Sequence, residues 1–112
     1  MSDIELTLYT NLSQTSAPKG IDLVIEERDG RIVFRRSHVK CKESLSELTV
    51  SFIREVENVD PKAFEFSSTI QVGVFHSISD ALSFTFRLSS GALSVLASKS
   101  VSMELVAYPC SD

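Results

Sequence analysis

The chain has 112 residues, 43% of them hydrophobic, and 15 acidic side chains against 11 basic ones give it a formal charge of −4. That length suits one domain, residues 1–112, with an ordinary core. The negative balance disfavours nonspecific attraction to nucleic acid or anionic membranes, and no apolar run approaches the roughly 20 residues of a membrane helix.

The start, MSDIELTLYT, has neither a basic n-region nor a continuous apolar stretch; the expectation is a chain that begins here and stays in the cytoplasm. In that setting Cys41 and Cys110 read as free thiols rather than a disulfide. Ile4, Leu6 and Leu8 alternate with Glu5, Thr7 and Tyr9, the pattern of a first strand with one buried face. The stretch NLSQTSAPKG, residues 11–20, has no period and is rich in turn formers, so it is a loop.

In IDLVIEERDGRIVFRR, Asp29-Gly30 stands between two alternating runs and suits a two-residue type I′ hairpin turn. The turn fixes the register: Arg28 faces Arg31, Glu27 faces Ile32, Glu26 faces Val33 and Ile25 faces Phe34. Glu26 then lies diagonally between Arg31 and Arg35, offsetting the repulsion between Arg28 and Arg31. Arg28, Arg31, Arg35, Arg36, Lys40 and Lys42, with His38 among them, concentrate the positive charge in this region.

Ser44-Leu45-Ser46-Glu47 has the form of a capping box, and Leu45, Leu48, Phe52, Ile53 and Val56 follow at helical spacing until Asp60-Pro61. A helix from Leu45 to about Asn58 follows. Ile70, Val72 and Val74 mark a fourth strand and Phe84, Phe86 and Leu88 a fifth, with FHSISD, residues 75–80, as the hairpin connection between them. Ser89 caps a second helix, with Leu88 placed to staple against Leu93 and an apolar stripe of Leu93, Leu96 and Ala97. In the last strand Val101, Met103, Leu105 and Ala107 share one face and Ser102, Glu104, Val106 and Tyr108 the other, with Pro109 as its end.

The order βββαββαβ, with one apolar face per strand and one apolar stripe per helix, predicts an α+β two-layer sandwich. It has one mostly antiparallel six-stranded sheet with both helices on one side. The crossover through the second helix makes the fifth and last strands parallel if they share the sheet. The uncovered side carries Tyr9, Val24, Glu26, Val33, Arg35, Gln71, Phe75, Thr85, Arg87, Glu104, Val106 and Tyr108. Two readings of that face stand side by side: a solvated surface with scattered apolar groups, or a surface for a partner or a second copy.

Chemistry is sparse. FHSISD holds His76, Ser77 and Asp80, but neighbours along one short connection point apart, and no nucleophile elbow or oxyanion loop accompanies them, so they read as turn residues. His38-x-x-Cys41 is half a zinc site, and His76 and Cys110 complete it only if the fold gathers all four. Glu26-Glu27 and the Glu55 and Glu57 pair diverge on their elements, and Gly20, Gly30, Gly73 and Gly91 form no phosphate loop. Aromatics beside arginines on a sheet suit RNA, but the aromatic-rich RNA-binding pattern is missing. No catalytic residue, metal or other cofactor is assigned.

The segments IQVGVF and ALSFTFRLSSGALSVLASKSVSMELVAYP, through Leu88, Ser89, Leu93, Leu96, Ala97 and Tyr108, resemble the end of a group of small bacterial domains. In these a strand leads through a Leu-Ser cap and a short helix to a final strand closing on Tyr-Pro. The resemblance covers little more than a third of the chain, and the tryptophan that members often carry in the N-terminal half is absent. It implies a cytosolic bacterial α+β protein without established activity, of a kind sometimes encoded beside toxins as an immunity protein. The expectation is a non-enzymatic protein that binds a protein partner, a basic toxin domain, through Tyr9, Glu26, Phe75, Glu104 and Tyr108. Glu55 and Glu57 on the first helix are the alternative surface, and a homodimer through the open face is the alternative function.

Overall fold

The computed structural model of the chain describes residues 3–15, 23–39, 43–77 and 87–110. Its strands are β1 (Asp3–Tyr9), β2 (Val24–Arg28), β3 (Arg31–His38), β4 (Ser68–Ser77) and β5 (Val101–Cys110); α1 (Leu45–Val59) and α2 (Ser90–Ser98) complete the elements, with a 3₁₀ turn at Pro61–Phe64. The strands form one mixed sheet in the order β2-β3-β1-β4-β5. Every neighbouring pair is antiparallel except β4 and β5, which run parallel.

The hairpin follows from the turn chemistry. Asp29 and Gly30 have φ of 52° and 77°, the left-handed conformation both central positions of a type I′ turn require. All four expected pairs, from Arg28 with Arg31 to Ile25 with Phe34, are present. Because register fixes which side each residue faces, the apolar set Ile4, Leu6, Leu8, Ile32, Phe34, Ile70, Val72 and Val74 lies together on one side of the sheet.

Helix α1 closes over that side with Leu45, Leu48, Phe52, Ile53 and Val56, all buried. Ser44 Oγ accepts from Glu47 N at 3.2 Å, so the expected cap is made. Asp60 ends α1 and caps the next turn by accepting from Lys62 N at 3.1 Å, with Pro61 at the first turn position. The helical spacing did not reveal that 3₁₀ turn, although Asp-Pro is its signature.

Three expectations change. The sheet has five strands among the described residues; most of the predicted fifth strand lies outside them, and β5 is parallel to β4 instead. Phe75, His76 and Ser77 belong to β4, not to a connection, because pairing with β5 continues through His76 with Pro109 and Ser77 with Cys110. Pro109 accordingly stands inside a strand, where β5 is at the sheet edge and a missing N–H costs no ladder bond on its outer side.

The stripe of α2 is also rotated from the expected one. Ala92 and Leu96 are buried and Val95 half-buried, while Leu93 is 51% exposed and Ala97 exposed. The positions 88, 92, 95 and 96 share the spacing of a helix face, and Leu88 and Val95 pack on the core. Toward the end of β5, Leu105 is 48% exposed although its strand partner Val72 is fully buried, so the core-facing row is covered at its start and bare farther along.

Candidate functional site

The side of the sheet away from the helices carries the residues the alternation assigned to it. Strand pairing places Val24, Arg35, Thr7, Gln71 and Glu104 in one row across all five strands, and Glu26, Val33, Tyr9, Thr69 and Ser102 in the next. Thr85 lies outside the described residues, and Arg87 is not in a strand.

Phe75 and Tyr108 are direct partners on β4 and β5, and their rings stack with centroids 4.9 Å apart at 16°. Such a pair contributes about 0.5–1.5 kcal/mol beyond the area it buries. The rings lean over Gly73: a Cβ there would meet Tyr108 Cε2 at 3.3 Å and Phe75 Cε2 at 3.4 Å. Glycine thus leaves the space the stack occupies, and the rings cover the backbone that glycine leaves bare. Tyr108 remains 39% exposed. A cleft of about 300 Å³ adjoins Phe75, lined also by Asp3, Glu5, Ser37 and His38.

Charge divides the face. Glu104, exposed, accepts from Gln71 Nε2 at 3.1 Å, and Glu5 accepts from Ser37 Oγ at 3.4 Å. Asp3 pairs with Phe75 and Glu5 with Gly73, so two carboxylates flank the aromatic pair on its β1 side, and Glu104 lies two rows away on β5. At the opposite corner stand Arg28, Arg31 and Arg35. Glu26 accepts from Arg35 Nη2 at 2.8 Å and from Arg28 Nε at 3.0 Å, so its two oxygens serve its own sheet. Arg31 takes a different partner from the expected one, Asn11 Oδ1 at 2.9 Å. Tyr9, 37% exposed, stands between the two regions with Val33 buried beside it.

Of the five residues singled out by sequence, Phe75 and Tyr108 come together and Glu104 is on their strand pair; Tyr9 lies between the two regions and Glu26 belongs to the basic corner. Glu55 and Glu57 each hold an ion pair, with Arg36 and Lys99. Sequence reasoning passed over Asp3, Glu5, Gly73 and Asn11, although Glu5 has the same parity as Tyr9. Arg36 and His38 were grouped with the other basic residues, yet they have the parity of Phe34 and lie on the helix side. Among the described residues no group of His, Cys, Asp and Glu is placed to hold a metal ion.

His38 Nε2 is buried with no hydrogen-bond partner among the described residues. Burial pushes its imidazole below the usual value, Arg36 adds to the depression, and Glu43 and Glu55 oppose it. A hollow of about 710 Å³ lies on the other layer between α1 and α2 and is lined by Ser46, Val50, Arg54, Ala92 and Val95 among others. It is open and holds no aromatic group, so the sheet face is the better candidate for recognition. No protein-family model, curated protein or solved structure matches the chain.

Proposed function

We propose that the chain is a non-enzymatic binding protein of the cytoplasm that docks on a protein partner through the open side of its sheet. The observation that carries this reading is the stacked Phe75–Tyr108 pair, partly exposed, with Asp3 and Glu5 beside it on β1 and Glu104 farther along β5. Aromatic anchors supply large contact area at low entropy cost, and surrounding carboxylates select a basic counterpart. The resemblance of the C-terminal third supports the narrower form of the reading, an immunity protein that covers the basic active site of a cognate toxin. Tyr9 extends the contact surface, and Glu26 acts by holding Arg28 and Arg35 in place.

Charge reversal at Glu26 and Glu104 is the test. Binding to the partner recovered from the native host is expected to weaken at least tenfold, about 1.4 kcal/mol, and to lose much of its salt dependence. Unchanged affinity would dismiss the sheet-face reading.

A second reading, a homodimer through the same face, is favoured by its two charged corners. A second copy turned over about a two-fold axis sets each basic corner against an acidic one. Sedimentation as a monomer at micromolar concentration would rule it out.

A further inference from the structure

The hollow at the turn end of the β2–β3 hairpin is positive on a chain that is negative as a whole. It measures about 640 Å³ and is lined by Tyr9, Asn11, Arg28, Asp29, Arg31 and Thr69 among others. Arg28, Arg31 and the adjacent Arg35 against the Asp29 and Glu26 carboxylates leave an excess of positive charge.

Arg28 and Arg31 are direct cross-strand partners on the open face, an arrangement that is unfavourable unless an anion lies between them. Glu26 holds Arg28 at 2.9 Å from the row beyond. Arg31 takes part in none of the ion pairs among the described residues. Its Nη1 donates instead to Asn11 Oδ1, and Asn11 Nδ2 donates to Ser67 O at 2.6 Å. This relay fixes the guanidinium through a neutral acceptor, so its charge is oriented without being neutralised. A guanidinium held by a neighbouring residue with donors to spare suits an oxyanion.

We propose that this hollow binds the phosphate group of a small molecule between Arg28 and Arg31, with the body of the ligand against the Tyr9 ring. A phosphate is favoured over a carboxylate because its greater charge answers both guanidinium groups and its additional oxygens use more of their donors. Asn11 is a positioning residue, acting through Arg31. The site stands whether or not the aromatic corner docks a protein.

The test is a titration of the ¹⁵N-labelled chain with inorganic phosphate, and separately with acetate, at constant ionic strength, followed by NMR. Saturable shifts are expected at the Arg28 and Arg31 Nε–H and the Asn11 side-chain amide, with phosphate at least about fivefold tighter than acetate. Arg31→Ala is expected to weaken phosphate about tenfold, and Arg54→Ala on the outer side of α1 to leave it unchanged. Asn11→Ala should weaken phosphate a few-fold and broaden the Arg31 Nε–H resonance in the unliganded chain. Denaturation curves of each variant verify folding. Shifts that fail to saturate, that survive Arg31→Ala or that appear equally at Arg54 would overturn the site; equal affinity for acetate would overturn its assignment to phosphate.

Discussion

Thr49 and His38 each carry a buried, unpartnered side-chain atom and define what single side chains contribute. Thr49 is fully buried in α1 and its Oγ1 has no hydrogen-bond partner among the described residues. An unpaired hydroxyl keeps its desolvation cost, so Thr49→Val is expected to stabilise the fold by about 1 kcal/mol in chemical denaturation. A loss of that size would show that the hydroxyl is satisfied in solution. His38 is the second case. Burial first, and Arg36 next, depress its pKa in the folded chain, so between that value and the usual 6.5 the unfolded chain binds a proton that the folded chain does not. The corresponding stability is complete above 6.5 and is lost as pH falls through the folded value. Denaturation midpoints from pH 7 to about pH 5 should therefore fall less steeply in His38→Leu than in the parent chain, whereas parallel slopes would contradict this assignment.

At the scale of elements, legibility tracked how local the determining interaction is. The Asp29-Gly30 turn specified its own backbone and hence the whole β2–β3 register, and the Ser44 cap specified the start of α1. The β4–β5 pair was not legible, since parallel pairing depends on a crossover rather than on either strand's own residues. The orientation of α2 failed for a related reason: 88, 92, 95 and 96 and the expected 93, 96 and 97 are both helical stripes, and contact with the rest of the core decides between them. One hydroxyl helps to settle it. Ser46 Oγ on α1 accepts from Ser89 N at 2.7 Å and donates to Arg87 O at 3.3 Å, tying the start of α2 to α1 while Ser89 Oγ caps the helix. Ser46→Ala is expected to cost about 1 kcal/mol and to raise amide exchange at Ser89 selectively. Uniform exchange across α1 and α2 would show that packing alone holds them.

Across the described residues, one side of the sheet is covered by the helices and the other carries mixed aromatic and charged side chains. The open face was largely legible, because a period of two assigns every strand residue to a side once the apolar side is known. What pairing added was proximity: Phe75 and Tyr108 are 33 residues apart in sequence and stack only because β4 and β5 are neighbours in register. Pairing also divided the basic run, with Arg28, Arg31 and Arg35 on the open face and Arg36 and His38 on the helix side. The same account makes Glu55 and Glu57 structural, each matched to a cation of its own chain. Comparing the two surfaces in one binding measurement tests the central claim most directly. Affinity for the partner from the native host is expected to fall by at least about tenfold in Phe75→Ala/Tyr108→Ala and to change less than about twofold in Glu55→Gln/Glu57→Gln. The reverse ranking, with both proteins folded, would contradict a recognition surface on the open side of the sheet.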